Sequence, residues 1–357
     1  MAILGGFLAP IVVEGGEGDV RQLLGYLLIL DLGVLWFASL RNWHWLTLLA
    51  VVGSYGIFGS YVLGVPDESQ EIPLLWAQTG LALIFVIFVG ATMVSHLIRK
   101  RIPGYMDLLL IKVNPALYFG INAGVLHEKH DGWLPLIALS LVLLYGSIAY
   151  ISSVRGNTTV RLTVSALVVA VVSLTIAIPL QLSGVWITIA WSAQGAALIW
   201  AGFSLGDRNI RVLGVITFGI VAARLIVFDT FVETGPFQLI LNSRVLTFGA
   251  SILSLYLVGY LYWKHKKVIR DWEIYNMRVF VGGAKFFSLW IISAEVFRYF
   301  GNGNFAFDTE SAIYLSLTLL WAIYAVVALV VGVVFKSSQV RLVALGCLLY
   351  TSPSPRD

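Results

Sequence analysis

Charged residues are scarce in this sequence. Only 12% of its 357 residues are Asp, Glu, Lys or Arg, while 59% are hydrophobic, and soluble domains carry about 25% charged residues. A water-soluble fold has too little interior to hide that much apolar surface. The scarcity of charge therefore excludes an ordinary soluble protein and indicates a chain that lies within a membrane.

Cysteine and several common catalytic signatures are also nearly absent. Cys347 is the only cysteine, which excludes a disulfide framework and a thiolate metal site. HExxH, P-loop and GxGxxG patterns do not occur. His127 and His130 lie close together in a short segment, but they form no established ligand pattern. We therefore predict neither a metal nor a cofactor, and an enzyme is the less favoured interpretation.

Long apolar runs are what the sequence has instead. Runs of about eighteen residues or more recur along the whole chain, and each is long enough to cross a membrane as a helix. They are continuously apolar rather than alternating, which favours helices over an outer-membrane barrel. We predict an all-α, polytopic transmembrane bundle of about twelve spans. The spans lie near residues 1–12, 23–40, 44–63, 76–98, 107–126, 133–152, 160–181, 184–204, 211–232, 239–263, 278–300 and 311–335.

The two ends of the sequence differ from the rest. Residues 1–12 are too short to span and lack the basic segment of a signal peptide, so we expect this first span to be truncated. Residues 347–357 read CLLYTSPSPRD and replace an expected further helix, so we expect them to be a non-native tail. The transmembrane domain is therefore predicted to cover residues 1–346, as an excerpt of a longer protein.

Basic residues fall in alternate loops. One set of loops carries fifteen of them, and the other set carries only Arg21, Lys129 and Arg298. Because Lys and Arg accumulate on the cytoplasmic side, we predict that the amino end of this chain is cytoplasmic. We expect the basic loops to contact anionic lipid head groups. Nucleic acid is not an expected partner, since no fold or aromatic platform accompanies the basic loop at 264–278.

Three predicted helices resemble one another. They cover residues 76–98, 184–204 and 311–335, and their alignments match Trp76 with Trp191 with Trp321. Gly80 also matches Gly195. The period is four helices, and an even number of spans per repeat keeps every copy in the same orientation. We therefore predict parallel four-helix repeats, with chance similarity between apolar helices as the alternative.

Several segments resemble a known family. The opening GGFLAP, the hairpin LWFASLRNWHWLTLL, the helix WITIAWSAQGAALIWAG and the stretches ARLIVFDTF and LNSRVLTFG are similar to bacterial membrane proteins of domain of unknown function 2339. The resemblance implies many spans in a bacterial inner membrane and no particular chemistry. Where similar proteins often carry Glu in the Trp-rich helix, this chain has Gln194.

Charged side chains inside predicted spans are the best candidates for a functional site, because each costs about 2.5 to 3.5 kcal/mol on insertion scales. Asp229 and Arg244 are predicted to meet across a hairpin. Arg224 is five residues from Asp229, about 140° around a regular helix, so we expect it to pair with another acid, Glu295 or Asp31. The candidate polar cluster is Asp31, Arg224, Asp229, Asn242, Arg244 and Glu295. A substrate or ion pathway and buried ion pairs that fix helix register both remain open.

The segment IKVNPALYFG is a second candidate. Pro115 removes a helical hydrogen bond, and together with Lys112 and Asn114 it predicts a broken helix of the kind that lines transporter cavities. A continuous helix with a proline kink is the alternative. Lys112 is then expected to extend its charge toward the membrane surface.

The sequence names no activity. A transporter or flippase-like protein is favoured, because it accounts for repeats and intramembrane charges. The alternatives are a membrane enzyme that acts on a lipid-linked substrate through Glu14, Glu17 or Asp67, and a structural scaffold. Convergence of the charged residues on one cavity would favour transport, and separate pairs would favour a structural role. The oligomeric state stays open.

Overall fold

The computed structural model of the chain is built from helices throughout its described part. It describes residues 5–7, 20–41, 43–64, 74–98, 103–127, 131–154, 160–231, 242–302 and 309–334. Within these ranges lie eleven long helices, and residues 5–7 are helical as well. The long helices are α1 Val20–Arg41, α2 His44–Leu63, α3 Leu74–Met93, α4 Tyr105–Leu126, α5 Leu134–Val154, α6 Val160–Gln181, α7 Val185–Ser204, α8 Arg208–Arg224, α9 Ser243–Lys264, α10 Asp271–Asn302 and α11 Thr309–Val334.

The predicted fold class is confirmed. Within the described residues, eleven helical segments are long and apolar enough to cross a membrane. These correspond to the predicted spans after the first, which lies almost wholly outside the described residues. The largest difference in bounds is in α10, which begins at Asp271 rather than near residue 278. Hydropathy misplaced this boundary because polar residues at the start of α10 lower the mean hydropathy without ending the helix. Glu273 is one of them, and it is buried against a partner side chain.

The chain divides into two compact units, Met1–Gln181 and Leu182–Asp357. In the first unit, α1 packs on α2 and α3, α4 packs on α2, α3 and α6, and α5 packs on α6. In the second unit, α7 packs on α8 and α9, α9 packs on α10, and α10 packs on α11. Each unit has its own buried apolar cores, which include Phe58 and Phe88 in the first and Phe218 and Phe248 in the second.

Two of the helices end in a wider turn. α3 continues as a π-helical segment over Val94–Ile98, and α8 continues as one over Leu225–Asp229. Such segments form i→i+5 hydrogen bonds and often occur at functional sites. In the second of them, the Thr230 N–H donates to the Leu225 carbonyl at 3.1 Å. The wider turn changes which side chains share a face, with consequences for the site described below.

The helices of the predicted repeat are α3, α7 and α11. Gly80 of α3 lies against the ring of Phe58, and Gly195 of α7 lies against the ring of Phe218. The two matched glycines thus serve the same purpose, since each leaves room for a phenylalanine of a neighbouring helix. The repeat itself stays a prediction, and residues 347–357 lie outside the described part of the chain.

Candidate functional site

Asp31 lies at the middle of α1. Eleven residues separate it from Val20 and ten from Arg41, so its Cα is roughly 16 Å from one helix end and 15 Å from the other. Its side chain is fully buried, with 0% exposure. A span of this length crosses the hydrocarbon core, and Asp31 is therefore a carboxyl group at mid-membrane depth.

The surroundings of Asp31 are sparse in polar groups. The Ser54 hydroxyl of α2 donates a hydrogen bond of 2.6 Å to Asp31 Oδ1, while the other oxygen, Oδ2, is buried without a hydrogen-bond partner. Among the described residues, no Lys or Arg lies within ion-pair distance of Asp31. Carboxylates buried in proteins are normally paired or fully hydrogen-bonded. Asp31 is neither.

A second polar contact lies at the same depth. The Tyr55 hydroxyl donates to Asn114 Oδ1 at 2.9 Å, and Asn114 Nδ2 donates to the Phe85 carbonyl at 3.2 Å. Tyr55 follows Ser54 in α2 and is close enough to Asp31 for the two to interact electrostatically. We name Asp31, Ser54, Tyr55 and Asn114 the midplane centre. It draws on α1, α2 and α4 and on the backbone of α3.

The segment around Pro115 is not broken. α4 continues from Tyr105 to Leu126 with Pro115 inside it, so the predicted interruption is absent and the continuous alternative holds. Helices tolerate proline in membranes when neighbouring groups satisfy the freed backbone. Lys112 is exposed and, with Pro115, lines a cavity of 390 Å³, whereas Asn114 belongs to the midplane centre. The three residues therefore do not form one site.

In the second unit, Arg224 and Asp229 face the same partner. The Thr188 hydroxyl donates to Asp229 Oδ2 at 2.6 Å and accepts from Arg224 Nε at 2.9 Å. Arg224 Nε also lies 4.0 Å from Asp229 Oδ1. The prediction that these two residues point apart was wrong, because the π-helical turn over Leu225–Asp229 brings positions five apart onto one face. The guanidinium also lies 5.6 Å from the Trp191 ring.

The predicted contact between Asp229 and Arg244 is wrong as well. Asp229 contacts Thr188 and Arg224 instead, and Arg244 Nη1 lies 4.0 Å from Glu295 Oε1. Within the second unit, the acid beside Arg224 is Asp229 rather than Glu295.

Asn242 also contacts Glu295. Its Nδ2 donates to Glu295 Oε2 at 2.8 Å, and its Oδ1 accepts from the Val245 N–H and caps α9. Asn242, Arg244 and Glu295 thus join the start of α9 to α10.

Sequence reasoning missed one buried ion pair. Arg211 is one of the fifteen basic residues that were assigned to cytoplasmic loops, but it lies in the first turns of α8 with 9% exposure. Its Nε and Nη2 donate to the two oxygens of Glu273 at 3.1 and 3.2 Å, and its Nη1 donates to the Gly202 carbonyl at 3.2 Å. In the alignment of the predicted repeat, Gly202 matches Gly332 and Arg211 matches Arg341, but no local pattern names Glu273 as the partner.

Ser54 and Thr188 were also missed. Both are hydroxyl residues inside apolar helices, where they usually bond to their own backbone. Only the position of the neighbouring helix turns them toward a carboxyl group.

The described residues offer little support for a metal site or for a hydrolase. Across the described ranges, no three His, Cys, Asp or Glu side chains are placed to hold a metal ion, and His130 lies outside those ranges. His96 Nε2 lies 3.6 Å from Asp107 Oδ2 as an isolated pair. The residues Gly202–Gly206 read GFSLG, which fits GxSxG, but they close a helix, whereas a nucleophile elbow joins a strand to a helix.

Comparison with known proteins gives a family and no activity. No curated protein and no solved structure matches the chain. Residues 1–232 match a family described as "Predicted membrane protein (DUF2339)". The match covers the whole first unit and continues in the second unit through α8 and its π-helical segment. The chain is a multi-pass membrane protein, and it belongs to this family.

Proposed function

We propose that this chain is a proton-coupled transporter in which Asp31 takes up and releases the proton. The observation that carries the proposal is a fully buried carboxyl at mid-span with one oxygen that lacks a hydrogen-bond partner and, among the described residues, no Lys or Arg within ion-pair distance. Ionisable groups inside spans commonly mark ion pathways and proton relays. A proton would neutralise Asp31 at a depth where a charge is costly.

The position of the midplane centre supports transport over a purely structural role. Coupling-ion sites of transporters lie near the bilayer midplane, where several helices meet. Asp31 is such a site, and the Ser54 hydroxyl beside it can donate to the carboxylate or accept from the carboxylic acid. An ion pair that fixes helix register would need a cation partner, and the described residues offer Asp31 none.

The second unit supports a different role for its own charges. Arg224 with Asp229 and Arg244 with Glu295 are separate pairs, each held by further hydrogen bonds. Separate pairs of one cation and one acid are typical of structural contacts. We therefore assign helix positioning to these residues and the transport step to Asp31.

We also propose that the protein resides in a bacterial inner membrane with its amino end in the cytoplasm. One set of alternate loops carries fifteen basic residues and the other set carries only three, which supports this orientation. The enzyme alternative rests on Glu14, Glu17 and Asp67, which lie outside the described residues, and no observation favours it.

The test is electrical and needs no known substrate. Protein in liposomes is adsorbed on a solid-supported membrane, and a rapid pH step is applied while the displaced charge is recorded. We expect a transient current for the wild-type protein, its loss in Asp31→Asn, and its retention in Asp31→Glu. Asp229→Asn is the matched control, because it removes a paired carboxyl of the second unit.

Folding is checked by gel filtration and thermal unfolding of each variant. A folded Asp31→Asn variant that keeps the full current would overturn the proposal. If that variant does not fold, Ser54→Ala replaces it, and an unchanged current and pH midpoint there would count against Asp31 as the proton site.

A further inference from the structure

A cavity of 370 Å³ lies within the first unit, between α1, α2, α3 and α4. One water molecule needs only about 15 Å³ of such space and about two to four polar partners. The cavity offers polar side chains from all four helices and from the π-helical segment that follows α3. They are Ser39, Thr47, Thr92, Ser95, His96 and Asp107. The cavity is therefore large enough and polar enough to hold several waters.

The same cavity follows the helix faces that meet at the midplane centre. Each helix that contributes a group to that centre also contributes a lining residue seven positions away. Seven residues are nearly two turns, so the two positions share one face of the helix and lie about 10 Å apart along its axis. The four pairs are Asp31 with Ala38, Ser54 with Thr47, Phe85 with Thr92 and Asn114 with Asp107.

In all four pairs the lining residue lies toward the same membrane surface. Two of the lining residues lie toward the ends of α1 and α3, and the other two lie toward the starts of α2 and α4. The loops at this surface carry Arg41 and residues 99–101, all of them basic, and the proposed orientation places them in the cytoplasm. Leu35 also lines the cavity, one turn from Asp31. The cavity thus covers part of the distance between the cytoplasmic surface and the midplane.

Two of the lining residues are titratable, His96 and Asp107. Their side chains approach each other to 3.6 Å between His96 Nε2 and Asp107 Oδ2, and the residues are 2% and 7% exposed. The π-helical segment Val94–Ile98 holds His96, and Asp107 Oδ2 also accepts from the Gly104 N–H at 2.9 Å. Imidazole groups exchange protons readily near neutral pH and serve as proton shuttles.

We infer that this cavity is the route by which protons pass between the cytoplasm and Asp31, with His96 as the relay. The inference rests on the function proposed above, since a route is needed only if Asp31 takes up protons. A proton that reaches Asp31 must cross half of the membrane. Chains of His, Asp and Glu side chains carry protons through the interiors of pumps and transporters.

The relay step leaves His96 neutral. One ring nitrogen accepts a proton from cytoplasmic water, and the other nitrogen then releases its own proton to water inside the cavity. Between these two events the imidazole is positively charged, and the Asp107 carboxylate beside it stabilises that charge. Asp107 is thus a positioning residue for the relay.

The first test asks whether water reaches the cavity. The background is Cys347→Ser, which removes the only cysteine of the sequence. Leu35→Cys in inside-out vesicles is treated with a charged methanethiosulfonate that does not cross membranes. We expect it to react at least about tenfold faster than Phe37→Cys, because the reactive thiolate forms in water and not in hydrocarbon.

Phe37→Cys is the matched control. Phe37 is exposed and lies two residues nearer the same end of α1, but it is about 160° around the helix from Leu35 and does not line the cavity. In right-side-out vesicles, Leu35→Cys should react no faster than this control.

The second test measures the relay in the current that follows a pH step. His96→Gln keeps a polar side chain but cannot carry a proton. We expect the current to rise about tenfold or more slowly, while the total displaced charge and its pH midpoint, which depend on Asp31, stay unchanged. Imidazole in the buffer should restore the fast rise. His265→Gln is the matched control, because His265 lies at the end of α9 in the second unit.

Three results would count against the route. They are equal labelling of Leu35→Cys and Phe37→Cys, labelling of Leu35→Cys only in right-side-out vesicles, and an unchanged rise in a folded His96→Gln variant. Labelling needs no current, so it still tests the route if His96→Gln does not fold. If Asp31→Asn loses the current while any of these results is found, the route alone fails. A full current in Asp31→Asn removes the proposed function and the route with it.

Discussion

The buried pair of Arg211 and Glu273 allows a quantitative prediction. Arg211 Nη2 lies 2.9 Å from Glu273 Oε2, and the residues are 9% and 2% exposed. The contact joins the start of α8 to the start of α10. Removal of the carboxylate by Glu273→Leu would leave a buried guanidinium that keeps only the Gly202 carbonyl and the nearby Phe203 ring. We expect a loss of about 3 to 5 kcal/mol in unfolding free energy, the usual cost of an uncompensated buried charge.

The double variant separates the pair from the packing. Arg211→Met with Glu273→Leu removes both charges and leaves side chains of similar length, so we expect it to be more stable than Glu273→Leu alone. Reversible unfolding in mixed micelles, followed by circular dichroism, gives the free energies. Lys267→Ala removes an exposed charge of the α9–α10 loop and should change stability by no more than about 0.5 kcal/mol.

Two results would refute the reasoning. A loss below about 1 kcal/mol in Glu273→Leu would mean that water reaches the pair and screens it as at a surface. Additive effects in the double variant would mean that the two side chains do not act on each other.

Two further predictions concern the same unit. Thr188→Val keeps the shape but removes the hydroxyl that bridges a buried carboxyl and a guanidinium, and we expect a loss of about 1 to 3 kcal/mol, checked by unfolding in mixed micelles. Gly214→Ala places a methyl group against Ile199 and should cost about 1 to 3 kcal/mol. Gly219→Ala in the same helix meets nothing within 4 Å and should be neutral or stabilising. Equal melting temperatures for the two glycine variants would contradict the close packing of α7 on α8.

The number and type of elements could be predicted because hydropathy is a local property. Each span is marked by about twenty apolar residues. The helices α1 to α11 could therefore be placed without knowing which helices are their neighbours. The same local reading identified Asp31, Arg224, Asp229, Arg244 and Glu295 as charges in hydrocarbon.

The pairing of these charges could not be predicted in the same way. A regular helix sets Arg224 and Asp229 about 140° apart, and no residue between them signals the wider turn that brings them together. Arg211 and Glu273 are 62 residues apart. Their contact depends on which helices are neighbours, and apolar helices in a membrane have many nearly equal ways to pack.

The sequence by itself therefore determined a multi-pass helical membrane protein and the short list of its costly side chains. The tertiary structure decided which of the acids among them have a cation within ion-pair distance. Asp229 gained Thr188 and Arg224, and Glu295 gained Asn242 and Arg244. Asp31 gained only a serine. Burial and partners are properties of the packed helices, and the unequal pairing of similar carboxyl groups with cations became visible only there.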